Sequence, residues 1–387
     1  MRVLRVITRM NVGGPARQVA YLHRAFEEAG HFSKVIYGQL GKGEADFSTL
    51  FHDKKNVSYE KCLVRELSLF KDSLIIFKIL TELLFSQYDV IHTHTAKAGF
   101  CGRCAIILYK PLSILLGLKK TKVVHTYHGH VFSGYFNKSL EKRIKMVESF
   151  LWRFSDVLVA LTSKLKKEIV EHLEVSEIEK MKVVPLGIDL KPFLGIERTD
   201  YFNPVYQKEF TKWVGWVGRL ERIKNPERFI SMAMEVIKER NDIGFVLVGD
   251  GSLRQKLQEM IETGNLGSHI FFYGWSDDLL KIYSGMDLLV NSSDNEGTPV
   301  TALEAIAAGI PVLATDVGGV KEVLSGVSEC QVWDVNEEDG AKLLSEKIEN
   351  VKELSLAIRT ELSQNYSPDN LFRNLNKLYL LNDQKLT

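Results

Sequence analysis

Two glutamates with seven residues between them, Glu296 and Glu304 in EGTPVTALE, and two cations, Arg219 and Lys224 in GRLERIKNP, are the residues whose types and spacing point most directly to chemistry. Carboxylates accept hydrogen bonds from sugar hydroxyls, while an Arg fork and a Lys point charge neutralise phosphate oxygens. A polyhydroxylated phosphate ester suits this set. The carboxylates alone would repel its phosphates, and the two cations answer that repulsion. The alternative for each residue is a solvated surface charge, the commoner state of Glu, Lys and Arg.

The elements that must position these side chains follow from local pattern. Residues 287–292 form an apolar, β-prone run that reads as a buried parallel strand, and 293–297 are polar turn material. Thr298 is expected as N-cap, Pro299 as the first helical residue, and 300–308 as a helix stopped by Gly309 and Pro311. A second strand over 310–315 completes a βαβ step. In such a sheet the ligand sits at the carboxyl ends of the strands, where a helix N-terminus favours an anion. Gly297, Thr298, Pro299 and Val300 are therefore candidates for lining that anion site. The two cations follow an equivalent strand, 213–217, before a helix led by Pro226.

EGTPVTALE resembles the E-x7-E signature of retaining glycosyltransferases of family 4, and GRLERIKN resembles that family's G-R-L-x-x-x-K motif. The resemblance covers nearly the whole chain. It implies an α/β protein of the GT-B fold, with two facing Rossmann-like domains, parallel sheets and an inter-domain cleft. By position, Glu296 would bind the transferred sugar, Glu304 the nucleotide ribose, and Arg219 and Lys224 the donor phosphates. The glycine loop RMNVGGPARQ follows a first strand at 3–8 and is not G-x-G-x-x-G; Gly13 and Gly14 serve either a ligand approach or a tight turn. Trp275 and Ser276 fall where the family's nucleobase contacts occur, with core packing as the alternative for Trp275. The resemblance further implies metal-independent, front-side transfer from a nucleotide diphosphate sugar, most often a UDP-sugar, in which the leaving phosphate takes the acceptor's proton. No cofactor is expected, and no D-x-D pair stands where a metal would need it.

Histidines cluster at two strand ends: His92 and His94 in IHTHTAKAG, then His125, His128 and His130 in VVHTYHGHVF. A metal site lacks supporting Cys or acidic ligands, so ligand-facing donors are the better reading. HTYHGH resembles the family's loop with a cleft histidine, which by position is His128. His92, His94 and Lys97 are expected to touch an acceptor.

At 387 residues the chain is too long for one ordinary core and suggests two α/β domains. We expect an amino-terminal domain over 1–193, a carboxy-terminal domain over 194–367 and a last helix over 368–387 returning to the first domain. The stretch RTDYFNPVYQKEFT reads as linker. Net charge is +1, yet residues 1–200 hold 31 Lys and Arg against 21 Asp and Glu, while the remainder hold 19 against 28. No carboxylate occurs between Asp89 and Glu141, a span with seven cations and the apolar runs AIILYK and LSILLGL. Such a stretch either lies on an anionic inner-membrane surface or is a buried helix with solvated lysine ends. The longest apolar run, 105–118, is expected to break at Lys110 and Pro111, short of a membrane span. Four cysteines and no leader pattern suggest a reducing, cytoplasmic setting, with Cys101 and Cys104 as buried thiols. No nucleic-acid motif accompanies the charge. The expected acceptor is a lipid-linked saccharide of a surface polysaccharide; the alternatives are a small soluble acceptor, a UDP-sugar 2-epimerase of the same fold, or a nucleotide-binding protein without turnover.

Overall fold

The computed structural model describes residues 1–11, 13–41, 44, 46–51, 53–129, 138–335 and 340–381. It divides into two compact units, one from Met1 to Ile188 joined by the chain from Pro368, the other from Asp189 to Ser367. The second unit thus starts ahead of Phe193.

The first unit is built on a seven-stranded sheet: β1 (Arg2–Ile7), β2 (Phe32–Gly38), β3 (Val57–Glu60), β4 (Val90–His94), β5 (Lys122–Tyr127), β6 (Val157–Ala160) and β7 (Met181–Val183). Their spatial order is β3-β2-β1-β4-β5-β6-β7, with every pair parallel. Strand β3 has no sequence signature, because VSYE is short and only half-buried, with no apolar run to mark it. Helices Leu69–Ser86 and Ala96–Leu115 share one core with the sheet through Ile75, Ile79, Leu83, Ala98, Cys101 and Ile106. Helices Gly14–Glu28 and Pro368–Leu380 share another, where Phe26 meets Phe372 edge-on at 4.8 Å.

The second unit carries six parallel strands: β8 (Lys212–Val217), β9 (Ile243–Val248), β10 (Ile270–Gly274), β11 (Leu288–Asn291), β12 (Val312–Thr315) and β13 (Gln331–Trp333), in the order β10-β9-β8-β11-β12-β13. Near-continuous apolar strands such as IGFVLV are what a sheet covered on both faces requires. The expected linker is part of this unit instead. Phe202 is fully buried, Tyr206 stacks on Phe271 at 4.4 Å, and Asn203 Oδ1 accepts from Trp213 Nε1 and the Phe210 N–H. Aromatic residues without a period form this cluster, which explains why no helix or strand pattern announced it.

The helix Ala96–Leu115 also departs from expectation by running through Lys110 and Pro111. It is long and apolar enough to cross a membrane by length and composition, but half of it is buried in the unit. Lys97 Nζ meets Asp72 Oδ2 at 2.5 Å, and Arg103 Nη2 meets both Glu148 oxygens at 2.8 and 2.9 Å. Tyr127 donates to Glu148 as well, at 3.1 Å. Arg103 is wholly buried, so removing its counterion strands a charge in low dielectric. Glu148→Ala is expected to destabilise the first unit by about 3–5 kcal/mol in urea unfolding, whereas an exposed pair such as Lys167 with Glu171 should contribute under about 1 kcal/mol.

Candidate active site

In an open parallel sheet, ligands collect where the strand order reverses, outside the carboxyl ends. The reversal in the second unit lies between β8 and β11, and the loops leaving those two strands carry Arg219, Lys224 and Glu296. These loops are tied to each other. Trp216 Nε1 donates to Ser292 Oγ at 3.0 Å, and Ser292 Oγ donates to the Asn225 carbonyl at 2.8 Å. The Asp294 N–H reaches the Ile223 carbonyl at 2.9 Å, while Arg228 binds the Ser292 carbonyl and Asp294. Two glycines set the backbone path. Gly318, at φ +50°, lies so close that a Cβ would stand 1.6 Å from the Glu296 carbonyl, and a Cβ at Gly249 would stand 1.8 Å from that of Gly218.

The result is a buried carboxylate held against an amine. Glu296 Oε1 accepts from Lys224 Nζ at 2.6 Å, Ser293 Oγ at 2.8 Å and Asn291 Nδ2 at 3.4 Å. Its Oε2 has no partner among the described residues, and neither has the exposed Arg219 guanidinium. Thr298 does not cap the next helix as expected. The helix is Val300–Ala307 with Pro299 at the cap position, because Pro299 takes an extended ψ of 88°, and Thr298 Oγ1 is buried without a partner. The N–H groups of Gly297, Thr298 and Val300 likewise meet no acceptor among the described residues. This is an anion-seeking corner. Glu304, inside the helix, is buried and accepts from Tyr283 Oη at 3.0 Å. Burial first, and the Glu304 charge second, hold the Tyr283 phenol well above its ordinary value, so it stays a donor. Trp275 is exposed rather than packed, with Nε1 on Asp277 at 3.3 Å, and Ser276 Oγ accepts from the Asp278 N–H.

The first unit reverses its order between β1 and β4. Gly13 and Gly14 stand at the start of the helix that follows β1, where a Cβ at Gly14 would come within 3.3 Å of Leu186 and one at Gly13 would touch only Pro15. Next to β4, Thr95 sits at φ +71°, an unfavourable conformation for a β-branched residue, pinned by Thr8 Oγ1 at 2.6 Å. Nothing in HTHT signals this strain.

The histidines divide. His94 Nδ1 meets the half-buried His128 Nε2 at 3.0 Å, leaving His94 Nε2 and His128 Nδ1 buried without partners. His92 is not available to an acceptor: Tyr379 of the last helix and Thr126, at 2.7 Å, take both its ring nitrogens. Lys97, in its buried pair with Asp72, is likewise excluded from that role. His125 hydrogen-bonds Thr93 at 2.8 Å, and His130 lies outside the described residues. Among the described residues no group of three His, Cys, Asp or Glu is placed to hold a metal. Cys101 is buried, which pushes its thiol up to about 12.

Residues 12–192 match the model of Glycosyltransferase Family 4, and 211–353 match that of Glycosyl transferases group 1. A UDP-Gal:alpha-D-GlcNAc-diphosphoundecaprenol alpha-1,3-galactosyltransferase of Escherichia coli is 31% identical over 272 residues, covering 69% of this chain and 68% of that one. The chain belongs to glycosyltransferase family 4. A more distant relative in name, the D-inositol 3-phosphate glycosyltransferase of Paenarthrobacter aurescens, is 29% identical over 261 residues, 64% of this chain and 61% of its own. The crystal structure of Anabaena Alr3699/HepE in complex with UDP aligns over 98% of this chain and 99% of that chain, with a TM-score of 0.79 at 18% identity. The family 4 chain therefore has the GT-B fold, each unit a parallel Rossmann-like sheet.

Burial keeps four histidines of the first unit neutral: His92, His94 and His125 are held well below 6.5, and His128 falls to about 3. As pH drops below about 6.5 the unfolded chain binds protons that the folded chain refuses, so stability declines with falling pH and is unaffected above that range. The unfolding free energy of this glycosyltransferase, from urea titrations, is expected to fall steadily from pH 7 to pH 5, by up to ~1.4 kcal/mol per histidine and pH unit, and the slope should lessen in His94→Asn.

Proposed function

We propose that the chain transfers a sugar, with retention and without a metal, from a nucleoside diphosphate sugar, a UDP-sugar, to a hydroxyl of a lipid-linked saccharide. The observation that carries this reading is the Lys224–Glu296 pair at the β8–β11 reversal, with Arg219 exposed beside the same strand end. Ligand arrival divides the pair. Lys224 turns to the diphosphate with Arg219 and the N–H groups of Gly297, Thr298 and Val300, while Glu296 accepts from sugar hydroxyls. Pro299 fixes the start of that helix, Glu304 takes the ribose hydroxyls, and Trp275 and Ser276 take the base. In the first unit, Gly13, Gly14 and the unpaired His128 Nδ1 serve the donor sugar and diphosphate, and His94 orients His128.

Transfer breaks the bond from the sugar's anomeric carbon to the phosphate oxygen and forms one to the acceptor oxygen. The acceptor's proton passes to the departing phosphate, which leaves as the nucleoside diphosphate. Cations already placed on that phosphate stabilise its developing charge, the main catalytic effect of such a site. The lipid-linked acceptor is supported by the name of the Escherichia coli relative, and the inositol phosphate relative supports a second reading in which the acceptor is small and soluble.

A panel of nucleotide sugars, with EDTA present, tests this through nucleotide release with and without undecaprenyl-diphosphate-linked saccharides. One donor consumed only with the lipid-linked fraction is the expected result; consumption with sugar phosphates alone would move the acceptor to the second reading. Glu296→Gln is expected to abolish transfer while UDP affinity stays within ~3-fold, since the sugar contact is lost and the phosphate and ribose contacts remain. Arg219→Ala should lower kcat by ~10²–10³-fold, and a kcat near that of the unaltered protein would refute the phosphate role.

A further inference from the structure

The helix Leu69–Ser86 is apolar on two opposite faces. Ile75, Ile79 and Leu83 point into the core of the first unit. Phe70, Leu74, Phe77 and Phe85 recur at i, i+4, i+7 and i+15, which puts them on one stripe of a helix along the side away from that core. Phe70 is 76% exposed, Phe77 64% and Phe85 85%, with Leu69 at 92% beside them. Isolated exposed apolar residues are ordinary, but a stripe of aromatic and leucine side chains along about four turns marks a contact surface.

Its surroundings are basic. Lys61, Arg65 and Lys71 are exposed near the start of the helix, where Glu66 is the only exposed carboxylate among residues 61–88. Asp72 is buried against Lys97, and Glu82 is taken up by Lys34 at 2.7 Å. The neighbouring helix Ala96–Leu115 runs parallel to this one, as both cross from one parallel strand to the next, and it ends in exposed Ile114, Leu115 and Leu116 followed by exposed Lys119 and Lys120. Apolar groups rimmed by lysines suit the boundary between acyl chains and anionic headgroups. Topology also orients the stripe: in a parallel sheet, each helix starts at the carboxyl edge, so Leu69 and Phe70 stand at the ligand edge of the unit.

We propose that the outer face of the helix Leu69–Ser86, with the end of its neighbour, docks the first unit on an anionic lipid bilayer, lying in the interface rather than crossing it. From the basic stretch 89–141 the exposed Lys119 and Lys120 contribute, while the apolar contact comes mainly from 69–86. This deepens the lipid-linked acceptor reading, yet its test does not require sugar transfer.

The intact protein is sedimented with phosphatidylglycerol–phosphatidylcholine vesicles and with phosphatidylcholine vesicles alone. Partition onto the anionic vesicles that weakens with added salt is expected, together with slowed hydrogen exchange over 69–86. The F70S/F77S/F85S variant should partition ~10-fold less or worse, with its thermal unfolding and UDP affinity unchanged because the three side chains lie outside the core and the site. No partition of the unaltered protein, or equal partition of the variant, overturns the proposal. So does light scattering that finds a dimer lost in the variant, which would assign the face to a second copy. Vesicle binding without transfer to lipid-linked saccharides supports the docking face and removes only the acceptor reading.

Discussion

The site of the second unit depends on one short ion pair, Lys224 with Glu296, joining the loops that leave β8 and β11. Each partner explains the other. A carboxylate buried at this position would be strongly disfavoured without a cation and hydroxyl donors, and Lys224 Nζ with Ser293 Oγ provides both. The loops can bring the pair together because Ser292, Arg228 and Asp294 fasten one to the other and because Gly318 and Gly249 allow backbones to touch. In the proposed transfer the ligand divides this pair on arrival, so that Lys224 is already on the phosphate when the bond to it breaks.

The first unit solves a different problem, that of polar groups inside a sheet. Arg5 in β1 is fully buried, with Nη1 on Ser33 and its guanidinium 4.4 Å from the centre of the Phe26 ring, and His92, His94 and His125 occupy adjoining strands. Burial outweighs every local partner and keeps the imidazoles neutral, which makes them hydrogen-bond linkers rather than charges. The last helix takes part through Tyr379 on His92, so a segment distant in sequence helps fix the order of the strand ends. The strained Thr95 stands at the same edge, a combination typical of functional backbone.

Outside both sites, the balance between buried and exposed apolar surface distinguishes two neighbouring helices. Ala96–Leu115 is long and apolar enough to cross a membrane, but its Lys97 and Arg103 are paired inside the unit and half of it is core. Leu69–Ser86 looks less remarkable in sequence and exposes more.

The sequence by itself determined the two parallel sheets, since most of the described strands are apolar runs bounded by turn residues, and it set Arg219, Lys224 and Glu296 in motifs whose residue types suit the proposed phosphate and sugar contacts. It also determined family membership, which rests on the same motifs and on matches over 12–192 and 211–353. Only the tertiary structure decided which polar residues are used inwardly: His92 and Lys97 are spent on Tyr379, Thr126 and Asp72, partners up to 287 residues away. It likewise decided that the aromatic stretch around Phe202 is core and that the outer face of Leu69–Ser86 is bare. The reason is physical. Periodicity records that a side chain is apolar or charged, whereas burial and pairing depend on which distant element arrives to cover it.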